Sequence, residues 1–150
     1  MATVTRLRVG TGFDVHPFSD DPGRPLVLGG VTVPGARGLA GHSDADVVAH
    51  AVADALLGAA GLGELGSLFP ATDPAWAGAD SMDLLADVMA RLAAAEWQPV
   101  NVDCVVVAEV PRLAPFVAEL GHRLSAVVGA AVTVKAKRAE GLGALGRREG

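Results

Sequence analysis

The sequence is poor in cysteine and in aromatic residues. It contains one cysteine, Cys104, no tyrosine, and only 4% aromatic residues among 150. A single cysteine excludes an internal disulfide and a cysteine-based zinc cluster, and its apolar neighbours in VDCVVVAEV favour a role in core packing. The chain is nevertheless 51% hydrophobic and has 19 glycines. This Ala-, Val- and Gly-rich composition is typical of helices that pack closely on a β-sheet.

Positive charge in excess and long apolar runs are also missing. The net charge of -5 gives no electrostatic support for binding nucleic acid. No run approaches the roughly 18 apolar residues that a membrane-spanning helix requires, and MATVTRLRVG lacks the apolar centre of a signal peptide. We therefore expect a cytoplasmic protein without a membrane or nucleic-acid partner, folded as one domain over residues 1–150.

Hydrophobic periodicity predicts four strands and three helices. The strands are expected over residues 6–18, 24–34, 101–110 and 132–136, and the helices over about 44–60, 82–96 and 114–128. A loop rich in turn-forming residues joins the first two helices, and Ser81 is the predicted N-cap of the second helix. The predicted fold class is α/β, of the α+β type, with a mixed β-sheet of about four strands packed on helices.

The segment GHSDADVVAHAVADALLGAAGLGELG, residues 41–66, contains the first helix. Ser43 is the predicted N-cap, Asp46 completes a capping-box-like start, and Gly61 ends the helix. Its surface is almost entirely Val, Ala and Leu, so we expect it to be covered on most sides. Asp46, His50 and Asp54 interrupt that surface at i, i+4 and i+8. Buried acids and imidazoles are costly unless they are paired or bind a metal.

The start of this helix is also a candidate anion site. His42 and Ser43 lie where free backbone N–H groups and the helix dipole favour negative charge. Together with the polar stripe, this position predicts a metal and a phosphate at one end of the helix.

Asp14 and His16 are a second pair of candidate metal ligands. They share one face of the predicted first strand, beside Gly10 and Gly12, which we expect to leave space next to them. An isolated Asp-x-His pair also fits an ordinary polar strand face, because two ligands do not make a zinc site.

The C-terminal segment KAKRAEGLGALGRREG gathers basic residues around one acid, Glu140. One interpretation is a solvated basic tail. The other is a phosphate-binding loop in which the acid binds a divalent ion.

Three blocks together resemble a known family. RVGTGFDVHPF, the segment from GHSDADVVAH through FPATDP, and VTVKAKRAEGLGALGRREG resemble, in this order and spacing, the 2-C-methyl-D-erythritol 2,4-cyclodiphosphate synthases. The resemblance implies a homotrimer of α/β subunits with active sites between neighbouring subunits. It implies conversion of 4-diphosphocytidyl-2-C-methyl-D-erythritol 2-phosphate to the cyclic diphosphate and CMP, in the non-mevalonate isoprenoid pathway.

The resemblance also implies a ligand set for zinc. Asp14, His16 and His50 match the zinc ligands, with the fourth position open for the substrate's β-phosphate. Asp46 or Asp54 would orient His50 through its second nitrogen. The structural alternatives are helix capping by Asp46 and core pairing by Asp54.

A second metal and the substrate contacts follow from the same resemblance. Glu140 matches the ligand of a second divalent ion, Mg²⁺ or Mn²⁺. The substrate's own 2-phosphate is the nucleophile, so the protein only has to position and neutralise the phosphates. The catalytic candidates are His42, Ser43, Lys137, Arg138 and Glu140. The substrate-binding candidates are Asp14, His16, His42, Ser43, Glu64, Gly66, Asp73, Ala108, Arg112, Leu113, Ala114 and Arg147.

The chain departs from the family pattern at several positions. Glu64 and Ala71 replace two aspartates, and Lys137, Arg138 and Ala139 replace a run of threonines that contacts the phosphates. The family also continues into a final strand after the residues that match GRREG. Two alternative functions follow, a zinc-dependent phosphoesterase and a non-catalytic trimeric binding homologue.

Overall fold

The computed structural model describes residues 6–150. The elements in chain order are β1 (Leu26–Leu28), β2 (Val31–Val33), α1 (Val47–Ala60), α2 (Leu65–Leu68), α3 (Ser81–Ala94), β3 (Asn101–Val107), α4 (Val117–Val128), β4 (Ala131–Lys137) and α5 (Gly143–Gly146), with a 3₁₀ turn at Pro74–Trp76. Within this part of the chain, no helix has the length and apolar character needed to cross a membrane.

Three long helices enclose the core. α3 packs against both α1 and α4, and α4 packs against β4. Leu57, Leu85 and Leu124 from these helices are fully buried at the centre. α1 is covered on most sides as predicted, because Gly58 is its only exposed residue. Gly61 ends it in the left-handed conformation, with φ of 72°, which a glycine adopts without a side-chain clash.

The predicted mixed sheet of four strands is only partly correct. Residues 6–150 contain four strands, but these form two separate pairs: antiparallel β1–β2 and parallel β3–β4, the second joined through α4. The single strand predicted over 24–34 is a hairpin. Gly29 and Gly30 form its two-residue turn at φ of 54° and 74°, the conformation that this tight connection requires and that glycine provides.

The strand predicted over 6–18 is wrong. Only Phe18 makes a bridge, to Leu39, and the residues before it run along α1 without a regular ladder. A Cβ atom added to Gly10 would lie 1.9 Å from the Ala55 carbonyl oxygen, and one added to Gly12 would lie 1.8 Å from that of Ala51. The helix backbone therefore fills the space that we expected beside these glycines.

The free side of this segment faces β3 across an apolar groove. The groove is lined on one side by Phe13 and Val15 and on the other by Val105 and Val107. The groove separates the two backbones, so the N-terminal segment does not join the sheet formed by β3 and β4. The segment nevertheless holds Asp14 and His16 against the first turn of α1.

Two predicted helix caps are also wrong. Asp46, not Ser43, caps α1 and accepts hydrogen bonds from the backbone N–H groups of Val48 and Ala49. Asp80, not Ser81, caps α3. In both cases the acid nearest the first turn reaches the free N–H groups, and the serine side chain is released for other contacts.

Candidate metal centre

Asp14, His16 and His50 meet at the start of α1. One Asp14 carboxylate oxygen, Oδ2, lies 2.9 Å from His16 Nε2 and 3.0 Å from His50 Nδ1. The candidate ligand atoms of the three residues all lie within 4.8 Å of one another. The pairing of a strand-like Asp-x-His with a helix histidine, predicted from the sequence, is therefore confirmed as a group that could hold a metal ion.

The surrounding backbone fixes both imidazole rings. His16 Nδ1 lies 2.8 Å from the Ala40 carbonyl oxygen, which ties the N-terminal segment to the loop before α1. His50 lies in the first turn of α1, and the two ring centroids are 5.4 Å apart. All three side chains are partly buried, so a bound ion would be shielded from bulk water on the protein side.

The hydrogen bonds within the group favour the charged forms of Asp14 and His16. Burial raises the pKa of Asp14, but the hydrogen bonds from His16 and His50 outweigh it and hold that pKa well below its usual range. The hydrogen bond that His16 donates to Asp14 raises the pKa of His16 above its usual 6.5, against the opposing effect of burial. The carboxylate is therefore ionised at neutral pH, as a metal ligand must be.

The second nitrogen of His50 contacts a residue that the sequence did not indicate. Ser81 Oγ, at the start of α3, lies 2.8 Å from His50 Nε2 and also bonds Asp44 Oδ1. The predicted orienting acids serve elsewhere. Asp46 accepts from Gly29 N and Gly30 N at 2.8 and 2.7 Å in addition to capping α1, and Asp54 accepts from Leu65 N at 2.7 Å. The only signal at Ser81 was its position before a helix.

The candidate phosphate contacts lie beside this group. Ser43 Oγ is 3.3 Å from His50 Nε2, whereas His42 is exposed to solvent. Arg24 donates to the carbonyl oxygens of Gly41 and Ser43 at 3.0 and 2.6 Å. These bonds hold the loop that carries both candidates close to the metal group.

The residues around the end of β4 include one ion pair and an exposed acid. Arg138 pairs with Glu109 at 2.9 Å, and this hydrogen bond lowers the pKa of Glu109. Glu140 is exposed, with φ of 54°. Among residues 6–150, the Asp14 group is the only cluster of three or more possible ligands, and Glu140 does not belong to it.

The other candidate residues lie on several loops. Glu64 and Gly66 are at the start of α2, and Asp73 accepts from Ala75 N at 2.9 Å in the 3₁₀ turn. Arg147 pairs with Glu149 at 2.7 Å. Lys137 ends β4.

Ala108 and Leu113 are brought together with the metal group. Both line the apolar groove whose wall also includes Asp14 and His16. Arg112 and Ala114 are exposed next to them.

Comparison with known proteins identifies the family of this fold and site. Residues 7–150 match the model of the YgbB family. The chain belongs to the YgbB family. A relative from Bordetella petrii, named 2-C-methyl-D-erythritol 2,4-cyclodiphosphate synthase, is 55% identical over 147 residues, which are 96% of this chain and 90% of the relative.

Solved structures of YgbB-family relatives share the fold. The bifunctional IspDF of Campylobacter jejuni superposes with a TM-score of 0.85 at 38% identity, covering 95% of this chain and 39% of that larger one. A 2C-methyl-D-erythritol-2,4-cyclodiphosphate synthase in a CDP-bound form has a TM-score of 0.82 at 37% identity, covering 90% of this chain and 91% of its own. The family resemblance drawn from the sequence is confirmed.

Proposed function

We propose that this chain converts 4-diphosphocytidyl-2-C-methyl-D-erythritol 2-phosphate to 2-C-methyl-D-erythritol 2,4-cyclodiphosphate and CMP, as a phosphorus–oxygen lyase of the non-mevalonate isoprenoid pathway. The observation that carries the proposal is the Asp14–His16–His50 group beside Ser43, in a chain 55% identical to a synthase of that name. The CDP-bound relative supports a cytidine diphosphate substrate.

We propose zinc as the metal of this group. Two imidazole nitrogens and one carboxylate oxygen are a donor set of catalytic zinc sites, which keep a fourth position open. When bound, zinc acts as a Lewis acid on the phosphoryl oxygens of the substrate. Asp14 contributes negative charge to the group, and the His16 and His50 rings are already oriented by contacts on their far sides.

The contribution of the protein to the reaction is to position the phosphate groups of the substrate. The attacking 2-phosphate belongs to the substrate, so the chain has to hold it in line with the β-phosphorus. Ser43 and His42 would donate hydrogen bonds to phosphate oxygens next to the metal group. We propose that Glu140 would hold a second divalent ion, Mg²⁺ or Mn²⁺, which would neutralise negative charge of the substrate's phosphates. Lys137 and Arg138 would neutralise charge there, although Arg138 must first exchange its Glu109 partner.

We further propose a homotrimer with active sites between subunits. What supports it is that Glu140 belongs to no cluster of three possible ligands among residues 6–150, since a neighbouring subunit would supply further ligands to a shared site. Glu64, Gly66, Asp73, Arg112, Ala114 and Arg147 would then contact substrate from the two chains. We also propose that the chain is a single catalytic domain and that it acts in the cytoplasm.

A direct assay tests this function. Purified protein is incubated with zinc, Mg²⁺ and the cytidyl substrate, and CMP and the cyclic diphosphate are followed by mass spectrometry. Equal amounts of both products are expected, and His50→Ala should abolish them. His122→Ala, which changes an exposed histidine of α4, is the matched control and should retain activity.

The other outcomes select the alternative functions. Inorganic phosphate released from simple nucleotides without a cyclic product would favour a zinc-dependent phosphoesterase. Binding of zinc and substrate without turnover would favour a non-catalytic binding homologue. Unchanged substrate affinity in Lys137→Ala and Arg138→Ala would remove those two residues from the phosphate contacts.

A further inference from the structure

Ser81 lies between the candidate metal group and a carboxylate from another loop. It is 1% exposed, and its Oγ contacts both His50 Nε2 and Asp44 Oδ1. The three residues come from α1, from α3 and from the loop before α1. They form a continuous chain of hydrogen bonds on the side of the His50 ring that is opposite to Asp14.

The direction of the hydrogen bond between Ser81 and Asp44 is set by the carboxylate. Asp44 also accepts from the backbone N–H groups of Ser81 and Asp46, each at 3.1 Å. An ionised carboxylate accepts hydrogen bonds and cannot donate one. The single hydroxyl proton of Ser81 therefore points to Asp44.

The hydrogen bond between Ser81 and His50 must then run in the opposite sense. The hydroxyl proton is already used, so Ser81 Oγ accepts from His50 across 2.8 Å, and the proton is on Nε2. Ser43 Oγ lies farther from the same nitrogen, at 3.3 Å, and accepts from Ala45 N. In the neutral ring that would bind a metal, the lone pair of His50 Nδ1 then points to the metal group, and a bound ion would take the place of the hydrogen bond to Asp14.

His16 is arranged in a complementary way. Its Nδ1 faces the carbonyl oxygen of Ala40 at 2.8 Å, which can only accept, so Nδ1 carries a proton and Nε2 is the nitrogen that would bind a metal. The two histidines thus offer opposite ring nitrogens to Asp14. Each ring is held by a fixed acceptor on its far side, and Ser81 is that acceptor for His50.

We propose that Ser81, oriented by Asp44, is a positioning residue that holds His50 in the tautomer with a free Nδ1 and thereby sets the metal affinity of the centre. The inference rests on the metal centre proposed above. Ser81 acts through His50. Residues that orient a metal-binding histidine typically contribute about 10- to 100-fold to metal affinity.

Zinc affinity of the full chain, measured by competition with a chelator, tests the inference. Ser81→Ala should bind zinc about 10- to 100-fold more weakly than the parent protein. The matched control is Ser125→Ala, because Ser125 also makes two hydrogen bonds, to Gly121 O and from Val132 N, but on α4. The control should keep the parent affinity, and thermal melting of each variant verifies the fold.

A spectroscopic measurement separates positioning from general structural support. In zinc-loaded parent protein, ¹⁵N NMR should show a protonated His50 Nε2 whose proton exchanges slowly with water. In Ser81→Ala this proton should exchange faster, while the His16 Nδ1 proton, held by Ala40, should not change. A parent spectrum with His50 protonated on Nδ1 would overturn the inference.

Asp44→Asn keeps the side-chain volume and gives a second test. As a single change, Asp44→Asn should lower the zinc affinity. In the double variant with Ser81→Ala, it should lower the zinc affinity by no more than about a further twofold, because Asp44 acts through Ser81. If the parent binds no zinc, the proposed metal centre fails. If the parent binds zinc and both variants keep its affinity, only the role of Ser81 fails. Should Ser81→Ala not fold, Asp44→Asn decides the question by the same affinity measurement.

Discussion

At the scale of single residues, Asp14 is the centre of the candidate site. One of its oxygens contacts both histidines, within 3.0 Å. The contact keeps the carboxylate ionised despite its partial burial. A neutral side chain of the same size would remove both a ligand and the charge that holds the two imidazoles together.

Asp14→Asn should therefore reduce zinc affinity by more than the roughly 10- to 100-fold loss typical of an orienting residue. The amide is a poor metal ligand and cannot neutralise the ion. Chelator competition measures the loss. Asp20→Asn is the control, since Asp20 is exposed and pairs only with Arg37. Equal zinc affinity in Asp14→Asn and the parent would exclude Asp14 from the ligand set.

The same residue predicts how the stability of metal-free protein depends on pH. The pKa of Asp14 is lowered from 3.8, so its contribution to stability is present above about pH 3.8 and is lost as the pH falls below it. The pKa of His16 is raised from 6.5, so its contribution is present below about pH 6.5 and is lost as the pH rises through the raised value. The two contributions overlap between these limits.

Melting temperatures of chelator-treated parent and Asp14→Asn should accordingly differ most between about pH 4 and pH 6.5. The difference should narrow in more acidic and in more alkaline buffer. A difference that keeps growing above pH 7 would contradict the ion pairing of Asp14 with His16.

At the scale of elements, Asp46 joins α1 to the β1–β2 hairpin. Its carboxylate is fully buried and accepts four backbone N–H groups, two in α1 and two in the glycine turn. Burial raises the pKa of Asp46, while these backbone donors act in the opposite direction. The cap therefore also positions the hairpin against the helix.

Asp46→Ala should lower the free energy of unfolding by about 3 kcal/mol or more. Loss of a cap costs roughly 0.5–2 kcal/mol, and unpaired buried N–H groups in the turn add about 1–3 kcal/mol each. Asp80→Ala is the matched control, because Asp80 is an exposed cap whose side chain accepts from one backbone group, Met82 N. It should lose about 1 kcal/mol. Urea unfolding at fixed protein concentration measures both, and equal losses would contradict the joining role.

The contact of the N-terminal segment with α1 predicts a contrast between two glycines. Gly12→Ala would place a methyl group against the Ala51 carbonyl, so the segment must move, at a cost of about 1–3 kcal/mol, and zinc binding should weaken with it. Gly58→Ala meets no atom within 4 Å and should stabilise α1 by about 0.5–1 kcal/mol. Urea unfolding and zinc affinity of both variants check the contrast. Normal zinc affinity in Gly12→Ala would show that the contact does not position Asp14.

At the scale of the whole molecule, one surface is unusually apolar. Leu7, Val9 and Phe13 are 79%, 95% and 81% exposed, although large apolar side chains rarely cluster on the surface of a monomer. Beside them, Val105 and Val107 are also exposed. This surface lies next to the groove that runs to the metal group.

Equilibrium sedimentation should find an assembly of three chains, and Val9→Ser with Phe13→Ser should weaken it. Each change removes apolar area that an interface would bury. Thr11→Ser, an exposed polar change in the same segment, is the control and should leave the assembly intact. A stable monomer at all concentrations would contradict the trimer and leave the proposed site between subunits unformed.

The sequence alone determined the local features and the metal group. The period of apolar residues identified three long helices and the strands before and after α4, and Gly61 marked the end of α1, because these depend on neighbours along the chain. The spacing of Asp14 and His16, together with His50 in the family pattern, identified the three ligands. Two side chains that lie a few residues apart can be predicted to be neighbours from the sequence, because the repeat of a helix or strand fixes which side chains share a face.

The tertiary structure decided which polar group meets which partner. Asp46, Asp54 and Ser81 were all plausible neighbours of His50 or plausible caps, and only the packing of α3 against α1 placed Ser81 on the second nitrogen. The N-terminal segment alternates as a strand does, yet it runs along a helix because Gly10 and Gly12 permit backbone contact with α1. Contacts between residues far apart in the chain depend on how whole helices and strands pack together, and the local periodicity of the sequence does not determine that packing.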